Sequence, residues 1–323
     1  MVSKTSRAVV GAALGVLTSV SYRAFQRDIE TARLRVSAGS LLATTAYGPV
    51  EYSQFGQGKP LLVVHGAGGG YDQGLLFARP LADSGFRVTA MSRFGYLRTP
   101  LPEDASPRTQ ADAHASLLDA LQIDRTIVIG ASAGAPSAMQ FAIRHPQRCS
   151  ALVLLVPLTW KPDDAPDSAS RPSRLSELIL RSMVGSDALF WLALHLARKA
   201  LIERVLGTPP AVLAGASSSE QGRVDEVLHS ILPLSSRTAG LRNDALIASS
   251  LSRYDLESIR APTLVVSVRD DLYGTFAGAQ YTAQHIPGAG FIGYKQGGHL
   301  WVGHHQELMD VIDSFVSRAD RAQ

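Results

Sequence analysis

The chain has 323 residues, 46% of them hydrophobic and 18% charged, with 28 glycines and 17 prolines. That is the composition of an ordinary folded protein, and the length allows a large core. A formal net charge of +3 with no Lys/Arg block argues against nucleic-acid binding, and a lone cysteine, Cys149, excludes an internal disulfide and any cysteine-based metal cluster.

Lys4 and Arg7 precede the apolar run AVVGAALGVLTSV, residues 8–20. A basic start followed by a short apolar run has the layout of an export signal or an uncleaved membrane anchor. The run is shorter than the roughly 20 residues that a spanning helix needs, and no twin arginine, lipobox cysteine or clear A-x-A site follows. The expectation is export or membrane association through residues 8–20. The alternative is a cytoplasmic chain whose N-terminal helix packs on the protein or is simply frayed. Residues 1–39 read as this segment plus a polar helical connector around Arg27, Asp28 and Glu30, and a chain starting near Ala38 is expected to fold without them.

From residue 40 the pattern alternates. SLLATTAYGPVEYSQFG reads as two strands joined at Gly48-Pro49. Then come PLLVVHG (60–66), FRVTAMS (86–92), TIVIG (126–130), ALVLLVP (151–157) and PTLVVSV (262–268), each a short β-branched run ended by a small residue. Such runs suit strands buried on both faces of a parallel sheet. Helix-period segments lie among them at 109–122, 132–146 and 306–319. The expected architecture is α/β, a mostly parallel sheet flanked by helices, occupying residues 40–320. Between Pro157 and Arg260 the rhythm breaks: WKPDDAPDSASRPSR reads as a loop, and the nearly apolar stretch after it as helical. An insertion that long is expected to form a helical cap at 158–258.

Within IGASAGAP, Gly130-Ala131-Ser132-Ala133-Gly134 fits G-x-S-x-G at a strand-to-helix turn, which would hold the serine out of the chain at strained angles. Pro136 is acceptable there only in the first turn of the helix. Ser132 is the candidate nucleophile. Among nine histidines, His299 in KQGGHLWVGHH stands after a strand-like stretch with glycines before it, and is the candidate base. His114, His195 and His229 lie in helical segments as surface or core residues. SVRDDLYG supplies two carboxylates, Asp270 and Asp271, either of which gives the chain order Ser, Asp, His. Oxyanion donors are expected at the N–H of Ala133 and, from the loop HGAGGG, at the N–H of Ala67. That loop lacks G-x-G-x-x-G spacing, and Ser92-Arg93 rather than an acid ends the next strand, so no dinucleotide and no other cofactor or metal is expected.

From about Gly48 onward the chain resembles the α/β-hydrolase fold superfamily: VVHGAGGG, SRFGYLRTP, GASAG, RHPQRCSALVLLVP, PTLVVSVRDD and GGHLW come in the family's order. The resemblance selects Asp271 as the acid and leaves Asp270 a solvated turn residue or helix-start cap, although Val268 stands where the family usually has glycine. A serine at the elbow argues against haloalkane dehalogenases and epoxide hydrolases, and HGAGG against proline iminopeptidases. The activity implied is hydrolysis of an ester, lactone or thioester with an apolar or aromatic acyl group. The alternative is carbon–carbon hydrolysis of ring-cleavage dienoates, and a third reading is a binding protein that has lost its chemistry. Arg93 and Arg98 read as substrate-carboxylate ligands or as internal ion pairs. DALFWLALHL in the cap reads as pocket lining or as packing, Asp72-Gln73-Gly74 as a brace for the oxyanion loop, and Cys149 as an inert core thiol.

Overall fold

The computed structural model describes residues 4–162 and 185–321, with side chains from residue 20 to 319 within those ranges. Eight strands form one sheet: β1 (Leu41–Thr45), β2 (Gly48–Phe55), β3 (Lys59–Val64), β4 (Phe86–Met91), β5 (Thr126–Ala131), β6 (Cys149–Leu155), β7 (Thr263–Val268) and β8 (Gly290–Tyr294). Their order is β1-β2-β4-β3-β5-β6-β7-β8, antiparallel only where β2 meets β1 and β4. Every residue of β5 and β7 is buried, as two-sided coverage demands. Leu61, Val63 and Ile129 enter one core; Leu62, Val64 and Val128 enter the other. The first hairpin turns at Ala46-Tyr47, two residues before the expected Gly48-Pro49, and Gly48 opens β2 at φ 91°.

β3 lies between β4 and β5, so the chain reverses its direction of winding between β3 and β5. In open α/β sheets that reversal leaves a crevice beyond the carboxyl ends of the strands. Val64 pairs with Gly130, so the loops leaving β3 and β5 emerge side by side there.

Helices α2 (Tyr71–Asp83), α3 (Pro107–Ala120), α4 (Ala135–Arg144), α10 (Thr275–His285) and α11 (His305–Arg321) flank the sheet. α3 starts where the sequence directs it: the Ser106 hydroxyl accepts the Thr109 N–H, and Pro107 occupies the first turn. α2 and α10 lack an obvious sequence signal, since α2 opens on a glycine run and carries Pro80 inside. Between β6 and β7 lie α5 (Asp187–Leu196), α6 (Arg198–Arg204), α7 (Pro210–Ala214), α8 (Ser218–Ser230) and α9 (Thr238–Ser250), a helical insertion over the carboxyl edge. Of the expected WKPDDAPDSASRPSR loop, all but Trp160, Lys161 and Pro162 falls outside the described residues, as do residues 175–184 of the apolar stretch after it. In α5, Phe190 and Leu194 join the core, as packing rather than pocket lining.

The N-terminal segment differs from expectation. One helix, α1, runs Lys4–Ala38 through the apolar run and the polar connector alike. No helix among the described residues is long and apolar enough to cross a membrane, so the anchor expected at residues 8–20 gains no support. Ile29, Ala32 and Val36 repeat at helical spacing and are buried. The Trp191 indole N–H donates to Asp28 at 3.0 Å, and the Tyr71 hydroxyl donates to the Val36 carbonyl at 3.1 Å. A boundary at residue 39 therefore cuts through a packed unit.

Candidate active site

The turn from β5 into α4 carries Ser132 at φ 49°, a left-handed angle that a serine adopts only when its surroundings enforce it. Its flanking glycines answer to packing. A Cβ on Gly134 would lie 2.4 Å from the Val64 carbonyl oxygen, and one on Gly130 would lie 2.5 Å from Ala138 Cβ. The missing side chain of Gly134 lets the elbow press against β3, and that of Gly130 lets α4 pack back onto β5.

Opposite stands His299, in a one-turn helix after Gly297 and Gly298, both at positive φ. Its Nδ1–H donates to Asp271 Oδ2 at 2.8 Å, and the Ser132 hydroxyl donates to its Nε2 at 2.9 Å. A carboxylate only accepts, so this arrangement fixes the tautomer: hydrogen on Nδ1, lone pair toward the serine. Burial pushes the Asp271 carboxyl up. His299, with hydrogen bonds from Thr275 and the Tyr273 N–H, outweighs that and holds it below the ordinary carboxylate value. The structure thus brings together Ser132, His299 and Asp271.

Asp270 has more to do than a solvated turn residue: it accepts the Gly298 N–H at 2.8 Å, bracing the loop that carries His299. The cap braces the same loops. The Gly207 carbonyl accepts both the His299 N–H and the Leu272 N–H at 3.1 Å. Sequence reading missed Gly207, which has no motif around it.

Ala67 and Ala133 line one cavity with Ser132 and His299. The Ala133 N–H is in the first turn after β5, where backbone donors lack helical partners. The cavity measures about 400 Å³, within the range of small-molecule sites. Phe77, Val156, Leu158, Val205, Leu206, Val227 and Leu241 form much of its wall, and no residue of α5 takes part. Among the described residues the lining carries no Lys or Arg. Both arginines once open to a substrate role are internally paired: Arg98 with buried Glu51 at 2.8 Å, Arg93 with Asp244 at 2.7 Å. Asp244, on α9, does line the cavity. Nothing in its helical sequence context marked it.

Residues 59–200 match the family model described as alpha/beta hydrolase fold. An alpha/beta hydrolase fold protein from Nakamurella multipartita superposes with a TM-score of 0.69 at 27% identity, covering 87% of this chain and all of that one. The uncharacterized hydrolase YcgS of Bacillus subtilis is 28% identical over 274 residues, 79% of this chain and 90% of its own. A 2-hydroxy-6-oxo-6-phenylhexa-2,4-dienoate hydrolase of Comamonas testosteroni is 30% identical over 113 residues, a third of this chain and 40% of that protein. The fold and the site define an enzyme of the hydrolase class. The chain has the α/β-hydrolase fold, and its sequence resembles that superfamily.

Proposed function

We propose that this hydrolase attacks a carbonyl carbon with Ser132, using His299 as base and Asp271 to orient it. The observation that carries the reading is the relay Asp271–His299–Ser132, with hydrogen bonds of 2.8 and 2.9 Å opening into an apolar cavity. In the first step the Ser132 Oγ–carbon bond forms while the hydroxyl proton passes to His299 Nε2. The Ala67 and Ala133 N–H groups meet the oxyanion. Its collapse expels the leaving group, which takes the proton from His299. Water, losing a proton to the same nitrogen, then releases the acid and restores the serine.

The bond cleaved is the finer question, and the relatives favour the carbon–carbon reading over the ester first expected. A 2-hydroxy-6-oxo-dienoate has no ester or amide, so a hydrolase named for it must cut a carbon–carbon bond beside the ketone. The carbon leaving group is tolerable because the dienoate, once its enol becomes a ketone, delocalises the charge. The apolar lining suits the aromatic end of such a substrate. Ester, lactone or thioester cleavage stays as the second reading for one reason: the described lining offers no cation for a dienoate carboxylate. Purified enzyme offered a 2-hydroxy-6-oxo-6-phenyl dienoate and p-nitrophenyl esters of graded length separates the two. Faster turnover of the dienoate, by kcat/KM, supports carbon–carbon hydrolysis; turnover of esters alone reverses the order. Fluorophosphonate labelling should fall on Ser132 in either case, and labelling elsewhere would sink the mechanism.

A further inference from the structure

We propose that Arg93, clamped by the cap residue Asp244, is a positioning residue that aims the Ala67 N–H at the oxyanion; this rests on the serine mechanism above. The Gly66 carbonyl accepts from His65 Nδ1 at 2.7 Å and from an Arg93 terminal nitrogen at 3.2 Å. His65 can donate there because its Nε2 accepts the backbone N–H of Arg93 at 3.0 Å, which leaves the ring hydrogen on Nδ1. Burial, with the charge of Arg93 added, holds His65 well below its ordinary value and so neutral.

The peptide between Gly66 and Ala67 is planar and trans, so its N–H points opposite to its C=O. A third donor, the Gly69 N–H at 3.3 Å, closes a turn on the Gly66 oxygen. The side-chain donors His65 and Arg93 hold that oxygen on the Arg93 side and so turn the Ala67 N–H the other way. The preceding peptide is fixed as well. Arg93 Nε donates to the His65 carbonyl at 2.8 Å, and the Gly66 N–H goes to Gln73 Oε1 at 3.2 Å.

Arg93 can hold this geometry only if it is itself held. Its two terminal nitrogens donate to the two oxygens of Asp244, each at 2.7 Å. The Tyr96 hydroxyl donates a further short hydrogen bond to the same carboxylate. Arg93 is 4% exposed, Asp244 6% and Tyr96 not at all. α9 is seated on this group by the Gly240 N–H, which donates to the Gly95 carbonyl at 2.9 Å. The seat has no slack: a Cβ on Gly240 would lie 2.2 Å from the Tyr96 ring. Aiming of the oxyanion donor thus depends on the cap being in place.

The test is the second-order rate at which a fluorophosphonate labels Ser132, because phosphonylation also builds charge on an oxygen in the oxyanion site. Melting temperatures are measured alongside. Removing an oxyanion donor typically lowers kcat 10²- to 10³-fold; a mis-aimed donor should lose part of that. Asp244→Asn keeps the shape but not the charge, and should slow labelling about 10- to 100-fold. Affinity for a trifluoromethyl ketone should fall by a similar factor, and KM for any turned-over substrate should stay within about threefold. Tyr96→Phe, which removes one hydroxyl, should show the same pattern more weakly and covers the case in which Asp244→Asn fails to fold. Labelling within threefold of wild type in a folded Asp244→Asn protein overturns the proposal. So does slower labelling that leaves ketone affinity unchanged, which is what a merely structural ion pair would give. Ser132→Ala separates the two layers: if it still turns over substrate, the serine mechanism and this proposal fall together. If it is dead while Asp244→Asn behaves as wild type, only the positioning role falls.

Discussion

Gly134 shows how narrowly the elbow is built, since the clash its Cβ would make is with backbone rather than with a side chain that could swing away. Gly134→Ala should therefore cost stability, about 2–4 kcal/mol by denaturant unfolding, and also displace Ser132. Ser132→Ala should do the opposite. One hydroxyl lost from a cavity wall leaves the melting temperature within a degree or two, while kcat/KM falls by about 10⁴ or more. Asp271→Asn should approach that loss, because an amide in its place no longer fixes the His299 tautomer. Asp270→Ala should cost about tenfold, since it frees only the Gly298 N–H. Equal losses at the two aspartates would reverse the assignment. Ser132 and His299 stood out in the sequence because each sits in a short glycine-flanked motif after a strand, whereas only the family resemblance separated Asp271 from Asp270. Asp244 was not: a carboxylate in mid-helix carries no local sign that an arginine 151 residues away will meet it.

Among the elements, the parallel strands announced themselves, for a strand buried on both faces must be an unbroken apolar run. Helix α1 hid its role for the converse reason. Among its described side chains it buries a narrow stripe, Ile29, Ala32 and Val36, with charged neighbours, so the stretch reads as a polar connector. Its polar contacts were also invisible beforehand. Arg35 reaches Asp72 at 2.5 Å and the Leu232 carbonyl at 2.5 Å, partners 37 and 197 residues distant. The expectation that a chain starting near Ala38 folds and works is accordingly revised. Starting at Val20 should leave the melting temperature nearly unchanged. Starting at Ala38 removes three buried side chains and Arg35, and should destabilise the fold by on the order of 5 kcal/mol. Matching urea midpoints for the two truncations would show that α1 is only an appendage.

Taken as a whole, the molecule has three parts, N-terminal helix, sheet and cap, and they meet at Asp72. This carboxylate opens α2, directly after the oxyanion loop. Arg35 comes to it from α1, and Arg237, fully buried, comes from the cap side. Arg237 also donates to the carbonyls of Ile231, Ser230 and Gly69, tying the cap to the loop itself. Burial pushes the Asp72 carboxyl up, but the two guanidinium groups win and hold it below its ordinary 3.8. A carboxylate whose folded pKa lies below its unfolded one contributes stability that is present above the unfolded value. That contribution is lost as pH falls through the folded value, when protonation leaves two cations facing a neutral acid. Asp271 is depressed in the same direction and adds to the effect. Stability should therefore be flat near neutrality, so far as these two groups govern it, and fall steeply once the pH drops below about 4. Asp72→Asn isolates the joint. It should be less stable than wild type at pH 7, and the gap between the two should close as the pH is lowered toward 3. Urea unfolding at both pH values measures that gap; one that stays constant across the range would mean that Asp72 holds the three parts together by shape and not by charge.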